Sequence, residues 1–309
     1  MKHIKTFSFI FLLLFVSILQ AQTVDSSSVN LSNSYPSKIN KAKLITSLSL
    51  QSGFFIGGMS YLQFIWYKDV PRVPFEFYND NKGYLQLDKC GHAFGAYLES
   101  SISYNSLRNA GLSKTKSLFI GGYMGLILQT PIEIWDGMYE GWGFSWGDMI
   151  ANASGSTLFT AQEILFNQQL LKYKFSYWES TYSRQANGYL GSTTLGKVFQ
   201  DYNGHTYWLS APVDLMYKKS PDWLNIAVGY SGNGMYGEFK NIKYYHGKYI
   251  PETTRYRQYL LSLDVDWTKI KTNSKVLKIV FKGLRFIKLP FPAIEYNSLG
   301  KFQAYWLYW

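Results

Sequence analysis

Apolar and polar positions follow three successive patterns along this chain. It opens with Lys2, His3 and Lys5, then an almost unbroken apolar run over residues 7–19, then Gln20-Ala21-Gln22. A basic start, an apolar stretch of about 7–15 residues and a small-residue exit are the parts of a secretory signal peptide. The run is shorter than the about 20 apolar residues that a membrane-spanning helix needs. Residues 1–21 are therefore expected to be an export signal, cleaved near Ala21. Residues 22–40, rich in Ser and Asn with Pro36, read as a flexible leader.

The second pattern is helical. Residues 44–67 carry no charge, which fits a transmembrane helix, weakened by Ser47, Ser49, Gln51, Ser52, Ser60 and Gln63. A loop with Pro71, Pro74 and Gly83 follows. A second helix is expected from Asp88 to Asn109, stopped by Gly111. A third is expected over residues 117–134, kinked or ended by Pro131, and a fourth from Trp146 to Leu171. Ser145 and Asp148 have the spacing of a helix N-cap pair. Each helix holds two small residues four apart: Gly53/Gly57, Gly91/Gly95, Gly121/Gly125 and Ala151/Gly155. Such pairs lie on one helix face and admit close helix–helix contact.

Past residue 185 the period shortens to two. Residues 207–215, 223–231 and 258–267 read as strands, and residues 301–309 form another that closes on an aromatic. Tyr259, Leu261, Leu263, Val265 and Trp267 alternate with Leu260, Ser262, Asp264 and Asp266, giving one polar face. Four to six strands fall short of the eight in the smallest membrane barrels, so a small antiparallel sheet is expected, packed on the helices or on a membrane. Between the last two strands, Val276, Leu277, Val280, Phe281 and Leu284 share one helical face, and Lys275, Lys278, Lys282 and Arg285 another. Such a basic amphipathic helix either lies in a membrane interface or covers the sheet. The expected fold class is α+β. A helical domain over residues 41–175, built from about four apolar helices, precedes an aromatic-rich β region over residues 185–309.

Composition sharpens this picture. The 26 Tyr, 21 Phe and 10 Trp make up 18% of the chain, and Tyr and Trp favour membrane–water boundaries. The formal charge of +11 favours anionic lipid head groups, lipopolysaccharide or acidic glycans as envelope partners. Nucleic acid is not expected as a partner in that compartment. The single cysteine, Cys90, rules out an intramolecular disulfide and lies far from the leader, so acylation there is not expected.

Ionisable residues in apolar helices are costly, which makes them informative. Asp88 and His92 are four apart, with Lys89 beside them. Glu133 and Asp136 are three apart, and Asp148 and Asn152 four apart. The short loop between the third and fourth helices puts Glu133, Asp136 and Asp148 at one level, and an up–down bundle brings the start of the second helix there too. One His with several carboxylates (His92, Glu133, Asp136, Asp148) suits a divalent cation such as calcium or magnesium, or acid–base chemistry; a multi-His zinc site is not expected. The plainer reading is a hydrogen-bonded network that orients helix ends. Cys90 is two residues from His92, off its helical face, and reads as a packed residue. His205 and His246 have no partner spacing.

Three blocks carry a resemblance: Asp88-Lys-Cys-Gly-His92-Ala-Phe-Gly-Ala-Tyr97, Glu133-Ile-Trp-Asp136-Gly137, and the run from Gly143 through Ser145, Asp148 and Asn152 to Gly155. Over residues 41–170 the chain resembles the uncharacterised YfiM-like family of predicted periplasmic lipoproteins. The C-terminal half resembles the longer versions of Bacteroidetes-type bacteria. More distantly, the blocks are similar to VanZ-like membrane proteins, with Asp136 standing near the position of a Gln in their pattern. The family implies an envelope location rather than a reaction. The expected function is thus a membrane-associated structural or binding component of the cell envelope. The rival is a membrane-embedded enzyme or ligand binder acting on lipid or cell-wall precursors, and a third reading is an outer-membrane barrel.

Overall fold

The computed structural model describes residues 35–309, so the expected export signal and most of the expected leader lie outside the described residues. The fold is α+β. The described chain forms two compact units. One contains the residues up to Asn81 with His92–Gln169; the other contains Lys82–Gly91 with Leu170–Trp309.

The first unit is helical. It holds α1 (Lys41–Tyr61), α2 (Leu87–Asn109) from His92 onward, α3 (Lys114–Gly121), α4 (Met124–Asp136) and α5 (Trp146–Phe166). Asn40 caps α1 by accepting the Lys43 amide at 3.0 Å. Among the described residues no helix is long and apolar enough to cross a membrane, which corrects the transmembrane reading of residues 44–67. Serines and glutamines dilute α1, and it gives way to a π-helical turn at Leu62–Trp66.

The expected third helix is two helices. It breaks at Gly122 and Tyr123 rather than at Pro131, and α4 runs on through that proline to Asp136. Tyr123 offers α4 no side-chain cap. Neighbouring helices supply one instead: Ser100 Oγ accepts the Gly125 amide at 3.1 Å and Ser156 Oγ accepts the Leu126 amide at 3.0 Å. Donors that a helix start leaves unpaired are satisfied in this way.

Close approach explains the small residues in three of the helices. A methyl group added at Gly155 would lie 2.0 Å from the Ala93 carbonyl oxygen, and one at Gly125 2.1 Å from that of Ala96. One at Gly121 would lie 2.6 Å from the Tyr104 amide. Gly53 and Gly57 meet nothing within 4 Å, so the first pair makes no such contact.

The second unit is built on a six-stranded antiparallel sheet of order β1-β2-β3-β6-β7-β8. Its strands are β1 (Lys172–Tyr177), β2 (His205–Pro212), β3 (Leu224–Asn233), β6 (Tyr256–Val265), β7 (Phe291–Asn297) and β8 (Phe302–Tyr308). A short hairpin, β4 (Tyr244–Tyr245) with β5 (Lys248–Tyr249), lies apart from it. Short helices α6 (Thr181–Gln185) and α7 (Thr194–Gln200) precede β2, and α8 (Lys275–Leu284) separates β6 from β7. The sheet curls so that its last strand reaches over β2: the Tyr308 ring packs edge-on to Trp208, 5.9 Å away. Trp208 in turn fills the space over Gly229, its register partner on β3.

The inner face of the sheet is mixed: Trp208, Ala227, Leu260 and Ala293 form an apolar cluster there, and charged groups are buried on the same face. The inner face buries Lys172, Lys174 and Lys288 against Asp264, Asp266 and Glu295, three charges of each sign. Lys174 pairs with Asp264 at 2.5 Å, Lys172 with Asp266, and Glu295 accepts from Gln258 at 2.7 Å, Asn297 at 2.9 Å and Tyr305 at 2.7 Å. Burial holds the Lys288 ammonium down at about 8. Other apolar residues face out. Leu209, Val228, Leu261 and Ile294 form one exposed row across four strands, and Leu263 continues the pattern. Tyr230, Tyr259, Tyr296 and Phe302 form the next row.

Candidate functional site

Glycine packing in the helical unit brings three helices together at His92. Gly155 of α5 rests on Ala93, one residue after His92, and Gly125 of α4 rests on Ala96 one turn further. On α5, Ser145 caps the helix by accepting the Asp148 amide at 3.1 Å, and its own hydroxyl donates to Asp80 at 2.6 Å. The same serine's amide donates to Glu133 Oε2 at 3.3 Å, which ties the end of α4 to the start of α5. The N-cap pair expected from the sequence is present, and it fixes the height of Asp148.

The imidazole of His92 lies between acids. Nδ1 is 3.2 Å from Asn152 Oδ1 and 3.6 Å from Glu133 Oε1, and Nε2 is 3.6 Å from Asp148 Oδ1. Glu133, Asp148 and Asn152 are buried, while the His92 side chain keeps 19% of its exposure. Among the described residues, Glu133 Oε1 and Asn152 Nδ2 have no hydrogen-bond partner. Burial pushes the Glu133 carboxyl up to about 8; His92 opposes the rise, and Asp148 and Asp136 add to it. Burial also raises Glu99 to about 8, against the hydrogen bond from Gln129 and the attraction of His92. The cluster can keep a proton near neutral pH or compensate a cation.

Asp136 and Asp88 have further partners of their own. Asp136 accepts the hydroxyl of Tyr67. Asp88 belongs to the second unit, where it accepts from Tyr202 at 2.7 Å and pairs with Lys89 at 3.0 Å. Burial raises the Cys90 thiol to about 11, in keeping with a packed residue. His205 is buried, and burial lowers it to about 4. Glu99 and Gln129 had no place in the sequence grouping. Glu99 stands seven residues after His92, two helical turns on, so spacing alone carried that signal.

The second unit carries a different kind of surface. On α8 the lysines Lys275, Lys278 and Lys282 are exposed and Arg285 half-buried. Its apolar residues Val276, Leu277 and Val280 are exposed as well, whereas Phe281, 5.6 Å from Trp267, and Leu284 are half-buried. The helix therefore does not cover the sheet with its apolar face. Along the strand direction, the aliphatic rows lie between the tyrosine row at one level and Trp223 and Trp267, just beyond the strand ends, at the other.

Comparison with known proteins agrees with the sequence blocks. Residues 76–165 match the model of a family described as predicted periplasmic lipoprotein (DUF2279). That segment holds His92, Glu133, Asp136, Asp148 and Asn152, and the YfiM-like resemblance stands on it; the VanZ-like resemblance rests on the motifs alone. The family description supports an exported, periplasmic protein of unknown activity. No curated protein and no solved structure matches the chain.

Proposed function

We propose that this protein is an exported, non-enzymatic component of the cell envelope that attaches to a membrane through the outer face of its sheet and the adjoining helix α8. The observation that supports it is the outer face: rows of Leu, Val, Ile and Tyr lie exposed, while Lys, Asp and Glu are buried inside the sheet beside a small apolar cluster. Soluble monomers rarely expose contiguous apolar patches larger than a few hundred Å². Outward apolar residues flanked by aromatics, with a polar interior, are the arrangement of lipid-facing sheets. The helical unit follows the same rule. Ser100, Gln129, Glu133, Asn152 and Ser156 are buried, while Ile45, Phe64, Phe119, Ile127, Ile150 and Leu165 are exposed. The sheet has six strands with β1 and β8 at its edges, short of the eight strands of the smallest membrane barrels. Attachment to one leaflet is therefore favoured over a closed pore.

Flotation tests this. The mature chain, purified without lipid, is mixed with vesicles and centrifuged through a density gradient; it is expected to rise with them. A chain that stays at the bottom, dispersed and folded, would remove the proposal.

A second reading concerns the helical unit, where Glu133 Oε1 and Asn152 Nδ2 lie buried beside His92 with no hydrogen-bond partner among the described residues. The carboxylate oxygen suits a divalent cation, and the amide N–H suits an acceptor on a small polar ligand. Titration with magnesium or calcium would raise the melting temperature of the wild type and leave Glu133→Gln unmoved. Equal response of both proteins would dismiss this reading.

A further inference from the structure

We infer that the cavity at the tryptophan edge of the sheet seats the phosphate of an anionic membrane lipid, an inference that rests on the membrane attachment proposed above and names the head group it takes. The cavity encloses about 450 Å³. Trp223, Trp267, Ile270, Lys269 and Lys271 line it, with Asp222 the one acidic lining residue. It is formed where β3 begins and β6 ends: Leu224 pairs with Val265, and the Asp266 amide donates to the Trp223 carbonyl at 2.8 Å. The Asp266 carboxylate then accepts the Thr268 amide at 3.0 Å and turns the chain, so that Trp267, Lys269 and Lys271 follow in quick succession.

Position and charge both indicate a head group. The cavity stands at the edge of the aliphatic rows, on the side opposite the tyrosines, which is the depth at which phosphates lie when such rows face acyl chains. From residue 267 to 294 the chain carries seven basic residues and no acidic one. Six of these, Lys269, Lys271, Lys275, Lys278, Lys282 and Arg285, are exposed or half-buried, and Lys288 is buried. Trp267 lines the cavity, and its indole Nε1 is buried without a hydrogen-bond partner among the described residues. A phosphate supplies what this set lacks: acceptor oxygens for an indole N–H and counter-charge for two ammonium groups. Its acyl chains would run along Ile270 and the exposed Val276, Leu277 and Val280 of α8. Nucleic acid or an acidic glycan would meet the same charge but leave those apolar residues in water.

The test uses the full mature chain and two vesicle types, phosphatidylcholine alone and phosphatidylcholine with phosphatidylglycerol. Binding to the anionic vesicles is expected to be at least about tenfold tighter, since each lysine near an anionic surface contributes about 1 kcal/mol. Lys269→Ser with Lys271→Ser should lose about tenfold on anionic vesicles and little on neutral ones, whereas the charge-matched control Lys240→Ser with Lys248→Ser should lose much less. Trp267→Phe, which stays aromatic but is smaller and lacks the N–H, should lose a few-fold on anionic vesicles only. Equal loss in the two double variants would overturn the cavity, as would equal affinity of the wild type for both vesicle types. Displacement from anionic vesicles by millimolar inorganic phosphate would overturn the lipid and leave a generic anion pocket. Absence of binding to either vesicle would instead refute membrane attachment itself.

Discussion

His92 gathers a carboxylate at each ring nitrogen, and the cost of that gathering falls on Glu133. Its carboxyl is raised to about 8, so the folded protein holds a proton that the unfolded chain releases near pH 4. Between these values the native state binds more protons than the unfolded one, and stability falls as pH rises. The contribution is fully present below about pH 4 and is lost by about pH 8. The melting temperature should therefore decline between pH 5 and 8, and Glu133→Gln, which stays neutral, should flatten that decline; Glu99, also raised to about 8, supplies what slope remains. A variant with an unchanged profile would mean that Glu133 is ionised in the fold. The meeting of His92, Glu133, Asp148 and Asn152 was legible in the sequence, because helix period and a short loop fix which ends share a level. Asp136 was not, because its partner Tyr67 is 69 residues away and no local pattern announces it.

At the level of elements, glycine has two meanings here. Gly155 and Gly125 sit against backbone, so Gly155→Ala should cost about 1–3 kcal/mol and lower the melting temperature. Gly57 faces open space, so Gly57→Ala should be neutral or stabilise by up to about 1 kcal/mol. Like signs for the two variants would contradict the close packing of α5 on α2. The sequence marked both pairs identically, because spacing says which residues share a face and not what that face meets. The strands repeat the lesson. Alternation in residues 258–267 was plain, yet period alone does not say which face is inside, and β6 turned its polar face inward. β1 went unseen because Lys172 and Lys174 read as surface residues, while each is buried against an aspartate. β7 was hidden by Pro290 and Pro292. Chemical denaturation can check the inner face: Asp264→Ala leaves Lys174 buried without its carboxylate and should cost about 3–5 kcal/mol. A loss below about 1 kcal/mol would mean that this pair is solvated.

Across the whole molecule, both units bury many polar side chains and leave many large apolar ones exposed, although no described helix can cross a membrane. A heavy aromatic content and positive charge were visible in composition; their arrangement into rows was not, because it depends on strand register. Leu261 sits in the middle of the outer aliphatic row, between Val228 and Ile294. The most direct measurement places a nitroxide there, as Leu261→Cys in a Cys90→Ala background, and compares its accessibility to oxygen and to a water-soluble nickel complex on vesicles. Lipid contact predicts high oxygen and low nickel accessibility, changing to the reverse at exposed Lys248. A label at residue 261 as open to nickel as the one at residue 248 would contradict membrane attachment through the sheet.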